Sequence, residues 1–388
     1  MLEHLGWREL LQRWSAEIIA HADDVAFKVT PQMAASGWVG GSPASEADIA
    51  AAEARVRLSF PRSYRDFLAV SDGWPLVSFD FGSVRRVVDV DWVAKAKPSL
   101  CKALADVYGD DSPPDAGPNL MNRSLMLSTG FDNFLYDTGC VGRDGEWGTR
   151  WWTSWGGDEG NAEASFRAGM EMHYASLVRF CASDSPTNGE VADKVDDAFR
   201  ALLNGDRSGE AVVAEARHFG SDRADVLDVQ INVLNGNYRA ETQVLNLANN
   251  TYVEDAAMLN DLWPMFVVAA LDPRDNQQRS LDYALQRAPR RVADHLRTLA
   301  DTLQQESGLT ADFSSVPEFD SAMVRARNLV RSGRDDEAFD AIMAAMPSWR
   351  PLSPQHLAPM GLTWDRDFAP MMTRERRQRI LASKRATG

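Results

Sequence analysis

The feature that most restricts the fold of this chain is a change of apolar period near residue 185. Before it, stretches of helical period alternate with stretches of period two; from Val191 onward only the helical period recurs. Aromatic usage changes with it, since nine of the twelve Trp residues lie at or before Trp155. Between the two regimes, Ser183-Asp184-Ser185-Pro186-Thr187-Asn188-Gly189 is a run of turn formers without an apolar period, as in a linker. A chain of 388 residues has room for two or three domains. The switch predicts an α+β domain over 1–185, opened by a helix, and an all-helical domain over 186–388.

In the first half, Leu10, Leu11, Trp14 and Ile18 recur at helical spacing, followed by a loose stretch to Pro43. Ser45-x-x-Asp48 is a capping pattern, and Ile49, Ala52 and Val56 share one face of the helix it opens. Pro61 suits the first position of the next helix, with Tyr64, Phe67 and Leu68 as its stripe and Asp72-Gly73 as its end. The period then becomes two. Val77, Phe79 and Phe81 form one strand and Val84–Val90 a second. A helix follows from Asp91 to about Tyr108, then a Pro-containing loop, then strands at Ser124–Ser128, Asn133–Asp137 and Thr149–Trp155 around an Asp144-Gly145 turn. Glu163–Ala182 closes the half as a helix. Local hairpins of this kind predict a mainly antiparallel sheet flanked by helices.

In the second half, Leu227/Ile231/Leu234, Leu259/Leu262/Phe266/Ala269 and Val292/Leu296/Leu299/Leu303 each mark a helix face. Leu202-Leu203-Asn204-Gly205 leading to Glu210-Ala211, and Leu329-Val330-Arg331-Ser332-Gly333 leading to Glu337-Ala338, both read as helix, Gly turn, helix. No constant period links them, so the expectation is an irregular stack of helical hairpins. Arg374–Gly388, rich in bases, reads as a solvated last helix with a frayed end, docked through Met371, Ile380 and Leu381.

Charge excludes some functions. The net charge is −15, with 26 acids against 17 bases before residue 187 and 30 against 24 from it onward. Such a chain repels phosphate backbones and anionic lipid, so neither nucleic acid nor a membrane is expected as partner. The longest apolar stretch, Met265–Leu271, is far short of a membrane span. The amino terminus has Glu3 and Glu9 where a signal peptide needs positive charge, and Cys101, Cys140 and Cys181 are too scattered for a CxxC motif. Both point to the cytoplasm. The surplus of Arg over Lys is the bias of a GC-rich bacterial genome. The six His residues form no HxxH or HExxH motif, and no nucleophile elbow, P-loop or GxGxxG occurs. No enzyme activity, metal or cofactor is therefore expected, and the acid pairs such as Asp110-Asp111 read as solvated surface.

Between Pro43 and Trp74 the residues Ser45-Glu46-x-Asp48-Ile49, Glu53, Phe60-Pro61-x-x-Tyr64-Arg65-x-Phe67-Leu68 and Ser71-Asp72-Gly73 resemble the SUKH superfamily, known from fungal cell-wall-assembly regulators and bacterial immunity proteins. Phe60 stands where Leu is usual, and Trp74 where a second Gly is usual. The helix start Glu163-Ala164-Ser165-Phe166 also looks like the end of that family's domain, so the resemblance covers about residues 38–182. The segment from Pro351 to Leu362 is similar to endings attached to some actinobacterial members. The resemblance implies a sheet of about four to six strands, no cofactor, no chemistry, and binding of a toxin protein.

The resemblance and the charge together give an immunity-type inhibitor of a basic toxin domain, as in toxin–antitoxin and polymorphic toxin systems. The alternative is a regulatory scaffold that binds a cellular protein through its helical half. Candidate partner-binding residues are Asp72, Trp74, Asp144, Glu146, Trp152 and Asp158, acids and large side chains around the Gly73 turn and the hairpin that ends in Trp155. Trp151 and Trp152 must point to opposite faces of a strand. Either one of them is an anchor on an open face, for protein or for sugar, or both faces are covered by helices.

Overall fold

Ser45 accepts a hydrogen bond from Asp48 N–H at 3.1 Å and opens a helix that buries Ile49, Ala52 and Val56. The computed structural model describes residues 2, 5–22, 27–76, 82–109, 117–130, 133–153, 157–158, 162–181, 185–272, 278–306, 308–313 and 316–385. The chain divides into two units, 1–188 and 189–388.

The helices of the first unit are α1 (Trp7–Ala20), α2 (Pro31–Ser36), α3 (Glu46–Val56), α4 (Arg62–Leu68), α5 (Val93–Ala96), α6 (Pro98–Tyr108), α7 (Gly117–Arg123) and α8 (Phe166–Phe180). The strands are β1 (Trp74–Pro75), β2 (Ser83–Val84), β3 (Asp91–Trp92), β4 (Ser124–Met126), β5 (Asn133–Val141), β6 (Trp147–Thr153) and β7 (Gly157–Asp158). β1 and β2 form a separate antiparallel pair, and β3 to β7 form one antiparallel sheet in chain order. The expected α+β architecture is present.

Period two along β5 sorts the core. Leu135 faces one layer with Val93, Leu120, Met121, Met126 and Trp152, under α5 to α7. Phe134 and Tyr136 face the other, against Phe166 of α8 and Tyr64 of α4. Gly169 lets α8 come close to the sheet, since a Cβ there would lie 2.9 Å from the Phe134 ring.

Three readings of the first half change, and a fourth cannot be compared. The loose stretch before Pro43 contains α2, whose Thr30 cap, Pro31 start and Gly37 end at φ +64 are a complete local signal. The strand expected over Val84–Val90 stops at Val84, and Val87–Asp89 is a 3₁₀ turn. Side chains, not a neighbouring strand, satisfy its backbone: Asp72 Oδ1 accepts from Val87 N at 2.6 Å, and Arg55 donates to the Val87 and Val90 carbonyls. The helix expected from Asp91 to Tyr108 begins as β3 and breaks at Lys97, because Pro98 disfavours helical backbone in the residue before it. The strand expected at Val77, Phe79 and Phe81 lies outside the described residues.

The second unit contains α9 (Pro186–Leu203), α10 (Gly209–His218), α11 (Asp222–Leu234), α12 (Trp263–Ala270), α13 (Gln278–Arg287), α14 (Arg290–Gln305), α15 (Pro317–Arg331), α16 (Asp335–Ala345), α17 (Gly361–Trp364) and α18 (Arg374–Leu381). α9 starts within the segment read as a linker, with Pro186 as its first residue. Ser185 and Thr187 are buried, because Glu17 of α1 accepts from Ser185 Oγ at 2.8 Å and Thr187 Oγ1 at 2.6 Å. Both Gly turns are present, with Gly205 at φ +81 and Gly333 at φ +76. The face expected at Leu259 to Ala269 is interrupted by a π turn at Met258–Leu262, which leaves Leu259 and Ala269 half-buried.

The basic end is docked more firmly than a frayed helix would be. Ile380 and Leu381 are buried, Arg377 pairs with Glu241 at 2.9 Å, and the Arg385 side chain is fully buried. Its guanidinium donates to Leu381 O and Leu202 O, and its N–H to Leu203 O at 2.7 Å. Its backbone thereby takes up the Leu203 carbonyl at the end of α9, while its guanidinium adds a second donor to the Leu202 carbonyl, which also accepts from Gly205 N at 3.0 Å. Burial pushes its pKa down to about 10.

Candidate protein-binding site

The hairpin β5–β6 presents the charges that the sequence pointed to. Its register runs through Phe134↔Trp151 and Tyr136↔Thr149 and shifts between Asp137 and Val141, where extra residues bulge out. Gly145, at φ +83, closes the turn, and Asp144 Oδ1 accepts from Glu146 N at 3.2 Å. Asp144 is exposed at this tip. Glu146 is half-buried and accepts from Ser63 N at 2.9 Å and from Ser63 Oγ, which ties the hairpin to the start of α4.

Glu146 lines a surface cleft of about 570 Å³ formed by the starts of α1, α4 and α8. Two further acids lie in it, each four residues from a base: Asp66 with Arg62 at 3.4 Å and Glu171 with Arg167 at 2.5 Å. The Arg167 guanidinium lies 4.8 Å from the centre of the Trp7 ring. Sequence reasoning missed these four charged residues. Their i,i+4 spacing at two predicted helix starts was the available signal.

The other sequence candidates serve the fold. Trp152 is 4% exposed and belongs to the core layer under α5 to α7. Trp151 is half-buried and stacks on His173 of α8 at 3.9 Å. Both faces of the sheet are therefore covered, and Trp152 is corrected from anchor to core. Trp74 is 2% exposed, between Trp14 at 5.6 Å and Trp38 at 5.4 Å, and is likewise a core residue. A Cβ on Gly40 would come within 2.5 Å of it. Asp72 is structural as well: besides Val87 N it holds Arg86 Nε at 3.3 Å. Gly73 keeps its turn at φ +94 although Trp74 follows it, because Trp74 enters β1 opposite Val84. Asp158 pairs with Trp152 through its backbone, and its side chain and Trp155 lie outside the described residues. The structure thus brings Asp144 and Glu146 together and leaves Asp72, Trp74 and Trp152 out of the surface.

Asp137 is the charged centre of the sheet. It is fully buried and accepts from Arg123 at 2.8 and 2.9 Å, Arg150 at 3.0 Å and Gly139 N at 2.9 Å. Burial pushes its carboxyl up, but the Arg123, Gly139 and Arg150 hydrogen bonds outweigh that and hold it below the usual carboxylate range. Among the described residues no group of three His, Cys, Asp or Glu side chains is arranged to hold a metal ion, and no helix is long and apolar enough to cross a membrane.

An antiparallel sheet covered by helices on both faces, with a charged cleft at one hairpin, defines a module suited to holding another protein. Residues 43–168 match the SMI1 / KNR4 family (SUKH-1), a match that starts at Pro43 and ends inside α8. Family members are in general non-catalytic proteins of the immunity or regulator kind, with a protein-binding role. No curated protein and no solved structure matches the chain.

Proposed function

We propose that this protein is a cytoplasmic, immunity-type inhibitor that binds a basic toxin domain through the first unit, without catalysis and without a cofactor. The observation that carries the reading is the SUKH-1 match over 43–168. Charge supports it, since an acidic inhibitor is steered electrostatically toward a basic target. Asp144, Glu146 and Asp158 carry the binding, joined by Asp66 and Glu171 in the cleft. The test is the association of the whole chain with the toxin domain encoded beside it. Asp144→Lys and Asp66→Lys should slow association about threefold or more at low salt and flatten its salt dependence, with the off-rate nearly unaltered. Association that keeps its rate and its salt slope in both variants would sink the steering role.

A regulatory scaffold acting through the helical unit is the second reading. Tyr238 favours it: the side chain is 81% exposed, and Arg239 beside it holds left-handed backbone at φ +56. A cellular protein that binds residues 190–388 as tightly as the whole chain would move the function there.

A further inference from the structure

β5 and β6 do not pair evenly. Asp137 lies opposite Gly148 and Val141 opposite Trp147, so Thr138, Gly139 and Cys140 have no partner residue on β6. Val141 is an even number of residues from Leu135, and an unbroken strand would place both on one face. The bulge puts Val141 on the face of Trp147 instead, since residues directly opposite each other share a face. Trp147 packs there on Tyr136 at 5.1 Å and is 8% exposed, whereas Val141 beside it is 56% exposed.

The bulge is held in place. Thr138 Oγ1 donates to the Arg123 carbonyl at 2.6 Å, Gly139 N donates to Asp137 Oδ1, and Arg123 and Arg150 fix Asp137 in turn. A buried ion pair adds little net stability over apolar residues of the same volume, so what this one supplies is position. The turn beyond the bulge is fixed as well: Gly142 N donates to Glu146 O at 2.7 Å and Gly145 N to Gly142 O at 3.1 Å. Val141 and Asp144 therefore keep one arrangement whether or not a partner is bound. Such preorganisation lowers the ordering cost of binding.

From the bulge and the exposure it gives to Val141, we infer that Val141 is the apolar contact at the centre of the first unit's binding surface, and that it fits an apolar recess with a basic rim on the partner. The recess follows from the branched alkyl group turned outward. The rim follows from charge complementarity, since Asp144 and Glu146 outnumber Arg143 in the turn. This rests on the reading of the protein as an inhibitor of a basic toxin domain. It adds to that reading the apolar contact that buried Trp74 and Trp152 do not supply.

The rates at which the whole chain binds and leaves the toxin domain encoded beside it test this. Val is a smaller contact than Trp or Tyr, so Val141→Ser should raise the off-rate about fivefold, with the on-rate and its salt slope as in wild type. That is the reverse of the pattern expected for Asp144→Lys. Val141→Ile keeps the apolar group and should stay within about twofold of wild type. Val107→Ser removes another exposed Val, on α6, and should change neither rate. Thr138→Val removes the bond to Arg123 and should raise the off-rate about threefold, with Thr138→Ser restoring it. The melting temperature of Val141→Ser should stay close to wild type, because the side chain is largely exposed. A wild-type off-rate in Val141→Ser, or an equal rise in Val107→Ser, would overturn the contact and leave the toxin reading standing. Wild-type rates in Thr138→Val would overturn the role of the bulge. Failure of the wild-type chain to bind the domain would overturn the toxin reading and this contact with it.

Discussion

His173 lies between Trp151, stacked on it at 3.9 Å, and the edge of Phe134 at 4.7 Å, and burial pushes its pKa down to about 3. An unfolded chain takes up that proton near pH 6.5. Above this pH both states are neutral and the residue adds no pH dependence. As the pH falls from about 6.5 toward 3, only the unfolded chain binds the proton, so stability is lost at up to about 1.4 kcal/mol per pH unit. Urea unfolding at pH about 7 and about 5 should therefore show a loss that His173→Gln removes; an unchanged slope in that variant would clear His173 of the effect. Asp137 acts lower on the scale: its carboxyl is held below the usual range, so its stabilisation is present above pH about 4 and is lost only as the pH falls further. Neither role was legible in the sequence. Arg123 and Arg150 are 14 and 13 residues from Asp137, and strand pairing alone brings all three together.

The segments that were legible are those whose partners are local. Ser45 caps three residues ahead, and Tyr64, Phe67 and Leu68 bury one side of a single helix, so spacing reveals them. Trp152 was misplaced because its exposure depends on α5 to α7, which precede it in the chain and which spacing cannot position. The start of α9 is a second such case. Polar residues between Ser183 and Gly189 look like a linker until Glu17, 168 residues from Ser185, accepts from Ser185 and Thr187. This contact gives an expectation for limited proteolysis: the backbone at 185–189 resists cleavage in the native chain because its polar groups are held and partly buried. Glu17→Ala removes the acceptor of the buried Ser185 hydroxyl, leaves the Thr187 hydroxyl with Tyr174 Oη at 2.8 Å, and should cost about 1–3 kcal/mol. Cleavage near residue 187 should then become faster than in wild type at equal protease. Equal rates would show that the Glu17 contact does not protect this turn.

At the scale of the molecule, the proposal is that the two units fold as separate cooperative bodies. The sequence placed a boundary near residue 185 from the change of period, and contacts within the chain cluster on either side of residue 188. Each unit also has its own buried anchor far from that point. Trp152 fills the layer under α5 to α7, and Trp152→Ala should cost about 3–5 kcal/mol. Arg385 binds the end of α9 and the end of α18 through the Leu202 and Leu381 carbonyls, and Arg385→Ala removes these two buried bonds from a charged donor, at about 1–3 kcal/mol. Calorimetry of the whole chain should resolve two transitions. Trp152→Ala should lower one by about 10 °C, and Arg385→Ala should lower the other by several degrees. The assignment is reciprocal, since each variant leaves untouched the transition that the other moves. A single transition shifted by both substitutions would mean that the 388 residues unfold as one body. The helical unit would then be part of the stability of the first unit, and the separation into two domains would fall.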